Sequence, residues 1–144
     1  MAITQLSLFL ENKPGHINSI CQTLADHQID IVTLSIADTL QFGIVRLIVD
    51  DPEKAKTALE AAGFAVNVRE VIAIGVKDAP GGLAQLLSIL KPSGVNIGYM
   101  YALASRRGND AIMIFRFDDP EKAVKALAAA GIHPIGPDEI FDAQ

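Results

Sequence analysis

The sequence predicts the α+β class, as two tandem units that each run βαββαβ. Two observations carry this. First, the chain repeats itself: Asp50-Asp51-Pro52-Glu53-Lys54-Ala55 returns as Asp118-Asp119-Pro120-Glu121-Lys122-Ala123, and Ala61-Ala62-Gly63 returns as Ala129-Ala130-Gly131. Second, period-two and helical apolar patterns alternate in the same order within each repeat. The offset is 66 residues between Pro14-Gly15 and Pro80-Gly81 but 68 between the acidic motifs, so two residues were gained near Arg106-Arg107-Gly108.

The first strand of each unit is marked by Leu6, Leu8 and Leu10, and again by Ile72, Ile74 and Val76. An amphipathic helix follows, with Ile17, Ile20, Cys21 and Leu24 on one stripe and Leu83, Leu86, Leu87 and Leu90 repeating it. Second strands are expected at 31–36 and 97–102, and third strands at 44–49 and 112–117. The Asp-Asp-Pro-Glu motif then opens a second helix. Asp51 or Asp119 can cap it, proline fits its first turn, and glutamate suits its positive end. Gly63 and Gly131 close these helices. The last strand is clear at 66–69 and weak at 134–136, where prolines limit pairing. This order gives a four-stranded antiparallel sheet with both helices on one face.

The 144 residues divide into units at 1–70 and 71–144, each near the size where one core is marginal. A composition 50% hydrophobic and 20% charged fits a compact soluble protein. The net charge of −5 argues against nucleic acid or an anionic membrane as the main partner. A single cysteine, Cys21, excludes an intrachain disulfide and any multi-cysteine metal site, and its place on an apolar helix stripe makes it an expected inert core residue. No secretory leader opens the chain and no apolar run reaches membrane-spanning length, so a cytoplasmic protein is expected. His16, His27 and His133 are scattered, His27 at a solvent-facing helix end, and no metal or cofactor is expected.

The turns before the first helix of each copy carry the candidate chemistry. They are Asn12-Lys13-Pro14-Gly15-His16-Ile17 and Asp78-Ala79-Pro80-Gly81-Gly82-Leu83. Glycines let a ligand approach the backbone, and unpaired amides at a helix start seat a carboxylate. Asn12 and Asp78 serve either such a ligand or the helix alone, as caps. Gly82 offers more room in the second turn than His16 does in the first.

Pro-Gly-x-Ile/Leu, an apolar helix and then Ile-Asp-Ile or Val-Asn-Ile resembles the ACT domain, the amino-acid-binding regulatory module of several biosynthetic enzymes. Residues 11–15 are similar to the serine-sensing domain of phosphoglycerate dehydrogenase, and the match spans both halves. The resemblance implies two ferredoxin-like modules and a ligand site at the seam between neighbouring modules. It assigns to that site the turn residues together with Asp30, Ile31, Asn96 and Ile97, which open the second strands. Asn12 would then face Asn96, and Asp78 would face Asp30, if the copies pair side by side. The amide pair can accept from an ammonium and donate to a carboxylate, whereas two carboxylates repel the acid group. Leu10 stands where the serine-sensing pattern has a histidine, which leaves the ligand's side chain open.

The expected protein is a free-amino-acid sensor, homodimeric and not an enzyme, that signals to a regulated enzyme or transcription factor. The alternative is an interaction subunit that no longer binds ligand. An acylphosphatase on the same frame would need a turn arginine, and the first-helix turns offer only Lys13. Tyr99 and Tyr101 share a strand face and either cover the open side of the sheet or contact a ligand or partner.

Overall fold

The computed structural model describes residues 2–11, 13–38 and 42–142. It divides into two units. One is Thr4–Arg69; the other comprises the remaining described residues, including Ala2 and Ile3. In chain order the elements are β1 (Ile3–Glu11), α1 (His16–Asp26), β2 (Ile31–Asp38), β3 (Phe42–Val49), α2 (Pro52–Ala61), β4 (Val66–Lys77), α3 (Gly82–Leu90), β5 (Ile97–Arg107), β6 (Asp110–Phe117), α4 (Pro120–Ala129) and α5 (Pro137–Asp142). The last strand of the first copy and the first strand of the second are one element, β4.

In the first unit β3 lies between β2 and β1, antiparallel to both, with Leu6 opposite Leu47 and Leu34 opposite Leu47 on the other side. Alternation puts Leu6, Leu8, Leu10, Val45, Leu47 and Val49 on one face, where they meet Ile20 and Leu24 of α1 and Ala55 and Leu59 of α2. The second unit repeats this with β6 between β4 and β5. Ile72, Ile74, Val76, Phe115 and Phe117 pack there against Leu86, Leu90, Ala123 and Leu127.

Both aspartates of the acidic motif are used, in both copies. Asp51 and Asp119 cap α2 and α4, accepting from the amides of Lys54 (3.1 Å) and Lys122 (3.2 Å). Asp50 and Asp118 fasten the second strand to the third: their carboxylates accept from the amides of Asp30 and Asn96, both at 3.0 Å. Their own amides donate back to the carbonyls of Asp30 (3.1 Å) and Asn96 (3.0 Å). The motif by itself predicts only the cap, because the strand partners of Asp50 and Asp118 lie 20 and 22 residues away.

The copies diverge at the β5–β6 hairpin and at the end. The two extra residues lie at the β5–β6 tip, where pairing shifts register between Ala102 and Arg106 and Gly108 turns at φ 62°. The weak last strand is one bridge, from the Ile135 amide to the Ala73 carbonyl at 2.8 Å. Pro134 and Pro137 flank it, and the chain then forms α5, which the sequence reading did not anticipate, with Ile140 buried. Cys21 is half-buried and lies outside the buried cluster, rather than within the core. His27 ends α1 exposed, as expected, its ring nitrogen 2.8 Å from the Thr23 carbonyl.

Gln28 is the one described non-glycine residue at positive φ, 56°, and its counterpart 66 residues on is Gly94 at φ 73°. A side chain pays a left-handed penalty that glycine avoids. Gln28→Gly is expected to raise the unfolding free energy by about 0.5–1 kcal/mol, net of glycine's extra unfolded-state entropy. Urea denaturation checks this; an unchanged or lower midpoint contradicts it.

Candidate functional site

The two helices that follow the candidate turns start differently from the other two. α2 and α4 carry side-chain caps, whereas α1 and α3 begin on Gly15 and Gly81, left-handed at φ 88° and 85° and without a side-chain cap. In the first turn the Lys13 amide donates to the Glu11 carbonyl (2.8 Å) and His16 to Lys13 (3.3 Å). In the second, Ala79 donates to Lys77 and Gly82 to Ala79, both at 3.0 Å. Among the described residues no acceptor meets the amides of Ile17, Asn18, Leu83 or Ala84. Such groups at a helix start favour an anionic ligand.

Asn12 lies outside the described residues. Asp78 does not cap α3; its carboxylate forms an ion pair with the Arg106 guanidinium. Arg106 comes from the two-residue gain at the hairpin tip, so repeat comparison could have flagged it as new to the second copy. Its neighbour Arg107 reaches Glu139 of α5 at 2.9 Å. In the first turn Lys13 bonds Glu11 at 2.6 Å, which lowers the Glu11 pKa and raises that of Lys13. Both side chains are exposed, so this pair contributes little to stability. Pro14 and Gly15 are exposed, as are Ala79, Pro80 and Gly81, while His16, Ile17 and Leu83 are half-buried. Leu10, in the position of the missing histidine, is buried in the core.

Gly82 does not open space for a ligand, contrary to the expectation. A Cβ there would lie 1.9 Å from the Lys77 carbonyl oxygen, so the helix start packs directly on the end of β4. The missing side chain serves close packing rather than a cavity.

Asp30 and Asn96 are exposed, with their backbones held by Asp50 and Asp118. Ile31 and Ile97 are half-buried beside the cores. Register places Ile31 against Val49, and Glu11 against Phe42, at the other end of β3. The second unit does the same, Ile97 against Phe117 and Lys77 against Asp110. Within one unit, therefore, the turn and the opening of the second strand occupy opposite ends of the sheet and do not meet. Tyr99 and Tyr101 stack at 6.4 Å on the face away from the helices. A cleft of about 710 Å³ in the second unit, between α4 and β4, includes none of the candidate residues. Among the described residues no group of His, Cys, Asp or Glu is arranged to hold a metal ion, and no helix is long and apolar enough to cross a membrane.

The family model described as the ACT domain pair matches residues 1–139. The chain belongs to this family. The solved structure of protein BT0572 from Bacteroides thetaiotaomicron is 37% identical, with a TM-score of 0.90 over 98% of this chain and 96% of that one. The regulatory subunit of aspartate kinase from Thermus thermophilus, in its ligand-free form, shares the fold at 20% identity, with a TM-score of 0.64 over 88% of this chain and 91% of its own. The corresponding subunit from Thermus flavus aligns at 19% identity and a TM-score of 0.59, over 89% and 92%. No curated protein matched the sequence significantly.

Two glycine substitutions separate packing from backbone conformation in this ACT pair. Gly15→Ala meets nothing within 4 Å but must hold φ 88°, and is expected to cost about 1 kcal/mol. Gly82→Ala must push apart α3 and β4, at roughly 1–3 kcal/mol or more. Denaturation midpoints should fall further for Gly82→Ala; the reverse order contradicts the packing role.

Proposed function

We propose that this ACT pair is a regulatory protein that binds a free amino acid and has no catalytic activity of its own. The observation that carries the reading is the pair of uncapped helix starts, α1 and α3, in a fold that caps its other two such helices with aspartate. A ligand carboxylate is the natural acceptor for the amides of Ile17 and Asn18, and of Leu83 and Ala84. The regulatory role of the aspartate kinase subunits that share this fold agrees with it.

The ligand's other contacts are proposed to come from a neighbouring module, through Asn96 or Asp30 at the opening of a second strand. The separation of turn and strand opening within each unit supports this, since one module does not assemble both. Asn12 and Asn96 suit a zwitterion, because an amide can both accept from the ammonium and donate to the carboxylate. At the second turn Arg106 neutralises Asp78, which relieves the repulsion that two free carboxylates would exert on the ligand. Signalling is by population shift: the ligand favours one arrangement of the modules, which a regulated enzyme or transcription factor reads.

Thermal unfolding against each of the twenty amino acids tests the reading. At a hundred times the dissociation constant the ligand adds about 2.7 kcal/mol, a shift of a few degrees. One amino acid or a few related ones should act, and Asn96→Ala should weaken that ligand about tenfold, the worth of about 1.4 kcal/mol in lost hydrogen bonding. No shift with any amino acid favours an interaction subunit that does not bind ligand.

A further inference from the structure

The repeat supplies an internal control for the cleft between α4 and β4, whose lining residues all belong to the second unit. Its volume, about 710 Å³, falls within the range of small-molecule pockets, roughly 300–1,000 Å³. Ile72 of β4 forms an apolar floor with Val124 and Ala128 of α4. In the first copy the counterparts of Val124 and Ala128 are Lys56 and Glu60, which form an ion pair at 2.7 Å along α2. Where the first copy has a solvated ion pair, the second therefore has two apolar residues. Val124 is half-buried against the core, and Ala128 is exposed. Lys125 is also particular to this copy, standing where the first has Thr57.

The charges around the floor divide between the two walls. Lys122 and Lys125 line the α4 side one helical turn apart, and among the described residues no ion pair engages either. The acids of that wall belong to the helix start. Asp119 accepts from the Lys122 amide at 3.2 Å, and Glu121 lies in the first turn, at the positive end of the helix dipole. Glu70 is the acid of the β4 side.

We propose that this cleft binds a small amphipathic carboxylate, its hydrocarbon body on Ile72, Val124 and Ala128 and its carboxylate between Lys122 and Lys125. The two ammonium groups give charge-assisted hydrogen bonds, and the apolar body removes the floor from water. Glu70 sets the orientation, because it repels the carboxylate and directs it toward α4. The site uses none of the turn amides of α1 and α3, so it is independent of the amino-acid reading.

Amide nuclear magnetic resonance of the labelled full chain, titrated with octanoate and separately with octylammonium, tests the proposal. Octanoate should move the signals of Val124, Lys125 and Ala128 saturably, and octylammonium should bind at least about tenfold more weakly. Val124→Lys combined with Ala128→Glu installs the ion pair of the first copy and should abolish octanoate binding, with circular dichroism confirming the fold. Lys122→Glu combined with Lys125→Glu should reverse the preference, so that octylammonium binds more tightly than octanoate. Absence of a saturable shift in the cleft overturns the proposal, as does equal binding of the two probes. So does octanoate binding that survives the installed ion pair or the paired lysine substitutions.

Discussion

The proposed ligand site rests on how α1 and α3 begin. A helix start has amides that lack intrahelical partners, and the chain resolves this in two ways. For α2 and α4 an aspartate immediately before the helix accepts from an amide of the first turn. For α1 and α3 a left-handed glycine takes the cap position and no side chain replaces it. At the second of these turns Gly82 lets the helix start rest on the Lys77 carbonyl. The result is an uncapped set of donors at each of these two helix starts, the feature from which a carboxylate site is proposed.

Duplication explains both what is shared and what differs. The clasp of Asp50 on Asp30 and of Asp118 on Asn96 is the same in both copies, so the scaffold that presents the second-strand openings is preserved. The hairpin tip of the second copy changed. Its extended tip brings Arg106 to the candidate turn and Arg107 to α5. In the first copy the turn carries the Lys13–Glu11 pair instead. Two turns with one backbone design therefore present different charges.

Much of the fold was legible because it rests on local pattern. Leucines at alternate positions named β1, the apolar stripe named α1, and Asp-Pro-Glu named the start of α2 and α4. The weakness of the last strand followed from Pro134 and Pro137. Other features depend on partners distant in sequence and left no local signal. Asp50 and Asp118 bond residues at the far end of another strand, and Asp78 meets an arginine across a hairpin. Gly82 read as open space because the sequence does not show the carbonyl already there. The α5 helix is short, and its burial of Ile140 is a tertiary effect. For the candidate site, the turn residues and the strand openings were both visible, whereas their placement at opposite ends of one unit needed the register.

The most direct test of the central claim is amide nuclear magnetic resonance of the labelled protein, titrated with each amino acid in turn. The account predicts that the effective ligand moves the amide signals of Ile17 and Asn18, or of Leu83 and Ala84, more than those of the capped helices α2 and α4. Saturating amino acid that leaves these four signals in place, or moves only residues of the cleft between α4 and β4, contradicts it.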